Sequence, residues 1–273
     1  MGHEDHEHPH DHHHDHDHDH DHGAAHRARR VLGPGSGRGN VLFLDAPSGL
    51  AGDMTIAALV DLGVPISVLQ DAWAALALDG YHVHFAHKER SGIVATFFDV
   101  HVSGAQPHRN FRMIRELLQH APLDEAVRAR ATRTFARLAE AEATVHRMEP
   151  DDVHFHEVGA VDAIVDVVGA STAIEYLGAD VVCSPLPMGR GFVKAAHGTL
   201  PLPPPAVVEC LRGFPTYDAG VDFELVTPTG AAIVAANASR AERWPAMTPE
   251  HVGWGAGKAD LPDRPNLLRA VLG

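Results

Sequence analysis

This sequence predicts an α/β or α+β fold, a mixed sheet flanked by helices behind a disordered histidine-rich arm, and three observations carry that expectation. The apolar run VLFLD is followed at once by an amphipathic helical pattern. Strand-like and helix-like segments then alternate irregularly from residue 41 to residue 273. Residues 1–26, in contrast, hold 12 of the 23 histidines and almost no apolar surface.

The arm comes first. Its first 22 residues carry eight acids and no Lys or Arg, which leaves 28 acids against 22 bases in the rest of the chain, a mildly acidic body. A segment with so little to bury cannot offset the entropy lost on ordering. Neutral imidazoles bind nickel, copper and zinc well, and interspersed carboxylates raise the local cation concentration. His12, His13, His14, His16, His18 and His20 are therefore candidate ligands of a metal reservoir, with a purification tag as the alternative. GPGSGRGN, Gly33 to Asn40, lacks the Gly-Lys-Ser/Thr ending of a phosphate loop and precedes a strand, so it reads as a linker closing an arm of residues 1–40.

One folded domain, residues 41–273, should follow. Val41 to Asp45 reads as a buried strand and the stretch to Leu62 as a helix. Pro65 opens a second helix with Ile66, Leu69, Trp73 and Leu76 on one side. Tyr81 to Lys88 and Gly92 to Val102 look like paired strands. Another helix begins near His108, and Leu123, Val127, Ala131, Phe135 and Leu138 mark the buried stripe of a long helix ending near His146. Asp180 to Met188 and Val221 to Val226 are expected as strands, with short helices after Pro203 and Thr229 and an apolar end from Asn266 to Leu272.

Several function classes drop out. Cys183 and Cys210 lack Cys-x-x-Cys spacing and cannot form a disulfide framework. No leader pattern and no run of about 20 apolar residues is visible, so a cytoplasmic protein without a membrane partner is expected. Basic and aromatic residues are not interleaved on one face, so no nucleic-acid partner is expected. There is no Gly-x-Ser-x-Gly elbow and no Rossmann fingerprint.

The chemistry concentrates in VHFHEVGAVDAIVDVVGA, Val153 to Ala170. A strand period of two would put His154 and His156 on one face with Phe155 turned inward. After Gly159 a helix carries Asp162 and Asp166 at i, i+4, on one narrow polar stripe of an otherwise apolar surface. Two imidazoles with carboxylates suit nickel, zinc or iron better than magnesium or calcium. The bland alternative makes Asp162 a first-turn acid and leaves Asp166 in water. Glu142 and His146 share a helical face too, where an ion pair is the simpler reading.

DAPSGLAGDM sets Asp45 at a strand end and Asp53 at a helix start around a turn with Ser48, Gly49 and Gly52, whose amides could meet a phosphate. Asp53 would oppose a bare anion, so a metal-bridged or ribose-contacting role is as good a reading. In ELVTPTGAAI, Thr229 is a candidate N-cap and Glu224 a strand-end acid. GWGAGKAD presents Lys258 after alternate glycines, and KAAHG presents Lys194 and His197. Together these segments suggest loops around one cleft.

In this order, DAPSGLAGDM, AEAEATVH, VHFHEVGAVDAIVDVVG, CSPLPMGRGFVKAAHG, ELVTPTGAA and GWGAGKAD resemble the nickel insertion protein family, from about Val41 to Gly273. The resemblance implies a CTP-dependent nickel chelatase of the lyase class. Its members insert Ni²⁺ into pyridinium-3,5-bisthiocarboxylic acid mononucleotide, forming two Ni–S bonds and one Ni–C bond of the nickel-pincer cofactor of lactate racemase. It also implies a C-terminal domain associated with CTP and a divalent cation, so a separately encoded C-terminal half is an expected partner, and a homo-oligomer is expected. Members often carry a His-rich internal loop where GAQPHRNF keeps one histidine, so the reservoir would have moved to the arm. On this reading His154, His156, Asp162 and Asp166 handle metal, and His156 or Glu157 takes the ring proton. Asp45 and Asp53 join the catalytic set. Ser48, Gly49, Gly52, Lys194, His197, Thr229 and Lys258 contact the mononucleotide. Competing readings are a nickel or zinc metallochaperone or storage protein and a metal-dependent phosphoesterase.

Overall fold

The computed structural model describes residues 30–104, 107, 109–153, 155, 161–195 and 198–273. The arm histidines, His154, His156, Glu157 and His197 lie outside them. In chain order the elements are β1 (Val41–Asp45), α1 (Gly52–Leu62), α2 (Ile66–Ala74), β2 (Tyr81–Arg90), β3 (Ile93–Val102), α3 (Phe111–His120), α4 (Glu125–His146), α5 (Val161–Leu177), β4 (Asp180–Cys183), β5 (Leu186–Met188), β6 (Phe192–Ala195), β7 (Gly198–Pro201), α6 (Pro205–Cys210), β8 (Thr216–Asp218), α7 (Pro228–Asn237), β9 (Arg240–Ala241), β10 (His251–Ala256) and β11 (Leu267–Leu272).

Among the described residues, seven strands form one mixed sheet in the order β2-β3-β10-β11-β1-β4-β9, flanked by helices as the sequence predicts. β1 runs antiparallel to β11 and parallel to β4, placing it deep in the sheet. Both of its faces are covered, which is why it reads as an unbroken apolar run: Leu42 and Leu44 enter the main core, while Phe43 packs with Val182 and Val271 on the other side. α5 is buried on almost every side. Where Gly169 lacks a side chain, Ile56 and Trp73 move in, and Trp73 Nε1 donates to the Val165 carbonyl at 2.9 Å.

α1 lies against β10, and two glycines of GWGAG make that approach possible. A Cβ at Gly253 would strike the Ala58 carbonyl and Leu62 backbone, and one at Gly255 would strike Met54 and Ala58 backbone. These glycines, expected in loops, sit inside a strand. Asp61 of α1 fixes the same contact, accepting from Thr96 Oγ1 at 2.9 Å and from the Trp254 amide at 2.6 Å.

Other expectations need correction. Asp180 to Met188 is not one strand: Pro185 has no N–H for a ladder, and the chain leaves the main sheet there to pair β5 with β8 instead. Val221 to Val226 is not a strand either. Its backbone groups are taken by two loops, through Arg190 N to Val221 O at 2.8 Å and Leu50 N to Leu225 O at 2.9 Å, leaving only a bridge between Leu50 and Val226. Glu224 is therefore not at a strand end. Thr227, not Thr229, caps α7, its Oγ1 accepting from Gly230 N at 3.2 Å. Val153 and Phe155, the described residues of the expected VHFHE strand, belong to no strand, although Phe155 does pack inward beside Phe135. Gly33 to Asn40, expected as a linker, is a run of turns docked on the end of α5, with Gly35 N and Gly37 N donating to Tyr176 O and Leu177 O at 2.7 and 2.8 Å.

Candidate functional site

A cleft of about 450 Å³ opens where the N-terminal ends of α1 and α5 meet the turn after β10. α1 brings Asp53 and α5 brings Asp162 and Asp166, whose four-residue spacing puts both on the side that faces the cleft. Lys258 comes from the turn following β10. The β6–β7 hairpin and the segment before α7 add Phe192 and Phe223 at the rim, with Phe192 75% exposed. Of the residues singled out in the sequence, Gly52, Asp53, Asp162, Asp166, Glu224, Thr229 and Lys258 line this one cleft.

Close packing holds the floor in place. A Cβ at Gly52 would collide with the Asp166 carboxylate, so the glycine is what lets α1 and α5 approach there. Asp53 Oδ1 accepts from the Met54 amide at 2.7 Å and Asp162 Oδ1 from the Ala163 amide at 2.9 Å. Asp166 is only partly exposed, and its Oδ1 is fully covered without any hydrogen bond. A buried acceptor left in that state costs about 1–3 kcal/mol, more when charged. Lys258 is positioned by its neighbours: Gly257 N donates to Asn266 O at 3.0 Å, and Arg90 Nη2 reaches Gly257 O at 3.1 Å. Its ammonium rests 2.6 Å from Asp99 of β3.

Burial pushes the Asp166 carboxyl well above the usual carboxylate range, and the charges of Asp53 and Asp162 add to the rise, while Lys258 offsets part of it. Asp53 is raised as well, chiefly by burial, with Lys258 pulling against it and Asp99 with it. At Asp99, desolvation is outweighed by the hydrogen bond and charge of Lys258, and the carboxyl is lowered. Burial alone would lower the Lys258 ammonium, but Asp99 and Asp53 hold it above its ordinary value. The cleft is therefore an excess of carboxylate over ammonium, and a cation would relieve it.

A stability measurement checks this electrostatic picture. For a carboxyl whose folded pKa is raised, the folded state holds its proton more tightly. Its contribution is then fully present below the unfolded value near 3.8 and is lost as pH rises through the folded pKa. Relative to an Asp53→Asn/Asp166→Asn double variant, the metal-free protein should thus gain stability as pH falls from neutral toward 3.8. Urea unfolding of both proteins across that range reads the difference, and parallel curves would remove these carboxyls as its source.

Other candidates fall elsewhere. Asp45 is bonded by Arg269 through Nη2 and, at 3.0 Å, through Nε; it borders a separate cavity of about 600 Å³ with Trp244 and Tyr217. It shares a strand face with Phe43, opposite Leu42 and Leu44. Ser48 is buried outside the cleft lining. Gly49, at φ 121°, is needed because a Cβ would meet the Leu225 carbonyl. Its amide and that of Leu50 already donate to Ala46 O and Leu225 O, so they are not available to cradle a phosphate. Lys194 is exposed on β6, next to the rim and not in the lining. Glu142 and His146 form the simple helical pair, with Nε2 and Oε2 3.5 Å apart. Cys183 and Cys210 are free and buried, the first thiol raised strongly by burial and the second to about 12. Asp99, Phe192, Phe223 and Asn266 were not identified from the sequence, which offers no local motif for them. Among the described residues no three His, Cys, Asp or Glu side chains already converge on a metal position, and no helix is long and apolar enough to cross a membrane.

Comparison with known proteins adds a family. The family described as "Nickel insertion protein" matches residues 42–273. A relative from Geobacter metallireducens, named "Putative nickel insertion protein", is 50% identical over 236 residues, covering 85% of this chain and 60% of its own length. Relatives of the same name from Geotalea uraniireducens and Syntrophotalea carbinolica are 49% and 48% identical, covering 85% and 86% of this chain and 60% and 59% of their own lengths. The chain thus spans about three fifths of the length of these curated relatives. No solved structure matches it.

Proposed function

This chain belongs to the nickel insertion protein family, and from that premise we propose that its carboxylate cleft receives nickel and inserts it into pyridinium-3,5-bisthiocarboxylic acid mononucleotide. On this reading the reaction is that of a CTP-dependent chelatase of the lyase class serving lactate racemase maturation in the cytoplasm. In this proposal a C-terminal half supplies the CTP and divalent-cation site, and the assembly contains more than one copy of this chain. The single observation that carries the reading is the covered, unbonded Asp166 Oδ1 at the floor of a cleft that Asp53 and Asp162 also line.

The chemistry suits the cargo. Carboxylate oxygens are hard donors and thiocarboxylate sulfurs soft ones, so nickel held by Asp53, Asp162 and Asp166 has a thermodynamic reason to pass to the substrate. His154 and His156 complete the ligand set in this proposal. Three Ni–O bonds give way to two Ni–S bonds and one Ni–C bond. The Ni–C bond requires loss of a ring proton, for which His156, Glu157 or the raised Asp166 carboxylate is the acceptor. Lys258 offers a point charge to the substrate's phosphate or carboxyl groups, and the apolar faces of Phe192 and Phe223 suit a planar cationic ring at the rim. A volume of about 450 Å³ is in the range of small-molecule sites.

The test is to incubate the chain with nickel, CTP and the mononucleotide, with and without the C-terminal partner, and to seek the nickelated product by mass spectrometry. Product in the presence of the partner supports the reading. Nickel binding without product in either arm would replace it with a metallochaperone, and phosphate release from simple phosphoesters with a phosphoesterase.

The arm has a separable role in this account. Deleting residues 1–26 should remove most of the bound nickel and leave the urea midpoint unchanged. Equal nickel stoichiometry before and after deletion, read by elemental analysis, would contradict a reservoir.

A further inference from the structure

One face of the β2–β3 ribbon carries four metal-ligating side chains, three histidines outside the cleft and Asp99, which pairs with the cleft's Lys258. The antiparallel register sets His82 opposite His101 and His84 opposite Asp99. Residues two apart in a strand share a face, as do residues directly opposed across a pair, so these four form a two-by-two array. The ring positions agree: His82 and His101 stack with centroids 4.9 Å apart and planes 10° apart, and His84 meets His101 edge-on at 6.2 Å. Tyr81, Val83, Phe85 and Val100, the alternate residues, pack against the main core, which leaves the three imidazoles exposed on the opposite face. β2 is the outermost strand of the sheet, so the array is open at its edge.

Asp99 ties this array to the cleft. Its Oδ2 is 3.5 Å from His101 Nε2, and its Oδ1 is 2.6 Å from the Lys258 ammonium that lines the cleft. In the structure the imidazoles stack and do not converge, so no ligand set is preformed. Convergence needs only side-chain rotation, which exposed residues complete in picoseconds to nanoseconds, on a backbone fixed by ten paired positions. Cross-strand Cβ separations are about 4.5–5.5 Å, a span that one ion can bridge through two imidazole nitrogens. Neutral imidazoles with one carboxylate are the donor set of a divalent first-row ion, not of magnesium or calcium.

We propose that His82, His84 and His101, with Asp99, form a second metal site on the open face of the sheet, a landing position for a divalent first-row ion next to the cleft. Binding there rests on the ribbon geometry alone. The identity of the ion as the cargo rests on the nickel insertion reading.

Histidine footprinting with diethyl pyrocarbonate tests the site on the full-length chain, because peptide mass spectrometry separates these histidines from those of the arm. With nickel(II) alone, added above the capacity of the arm, His82, His84 and His101 should be protected while His120 and His251 label as before. In the His101→Ala variant, the nickel concentration that protects His82 should rise at least roughly tenfold, the low end of what even outer-shell partners contribute to metal affinity. Unchanged labelling of the three residues overturns the proposal, as does protection of His82 that is indifferent to His101→Ala. Should the ribbon bind nickel and the insertion assay still give no product, the site stands and the insertion reading falls.

Discussion

Asp166→Asn should cut nickel insertion by at least roughly 100-fold and yield a metal-free protein more stable than the parent. Removing even an outer-shell partner costs about 10–100-fold in metal affinity or activity, and Asp166 is proposed as a direct ligand. The amide preserves volume, keeps α5 packed and removes the charge that desolvation, Asp53 and Asp162 all oppose. Its stability should rise at neutral pH, because the amide carries no charge to desolvate beside Asp53 and Asp162. Product yield and a urea midpoint, measured on the same preparation, check both halves. Insertion at the parental rate would show that the cleft aspartates are packing residues.

Gly255→Ala is the largest structural lesion expected, a loss of about 3 kcal/mol or more, the upper end of overpacking effects. Overpacking is often absorbed by the free end of a flexible side chain. At Gly255 the new methyl meets Met54 and Ala58 main chain, so the whole of α1 must lift from β10. Since the first turn of α1 carries Asp53, the cleft is distorted with it. Gly33→Ala is the control: no atom lies within 4 Å of its Cβ position, and it should stay within about 0.5 kcal/mol of the parent. Equal urea midpoints for the two variants would refute this account of the GWGAG glycines.

Much of this was legible in the sequence wherever burial is continuous or periodic. VLFLD reads as a strand because both of its faces are covered, and the stripe from Val127 to Leu138 reads as a helix because only one is. The i, i+4 pair Asp162 and Asp166 reads correctly onto one face of α5, where the bland alternative had left Asp166 in water. What misled was adjacency along the chain. Asp45 and Asp53 share a motif, yet Asp45 falls on the Phe43 face of β1, opposite Arg269 in the register with β11. Strand alternation alone could have separated them. β10 was missed because Gly253 and Gly255 leave no apolar alternation, their function being to admit a helix. The β6–β7 hairpin was hidden in a Pro- and Gly-rich stretch whose pairing depends on tertiary support. Asp99 reaches the cleft only through the register of three strands and the turn that carries Lys258, and no local pattern encodes that.

The most direct measurement of the central claim is a nickel-edge anomalous difference map from crystals soaked with nickel and the dithiocarboxylate mononucleotide. The account predicts a peak in the cleft within bonding distance of the Asp166 carboxylate, flanked by Asp53 and Asp162. Nickel bound at saturating concentration only elsewhere on the molecule, with no peak among these three aspartates, would contradict it.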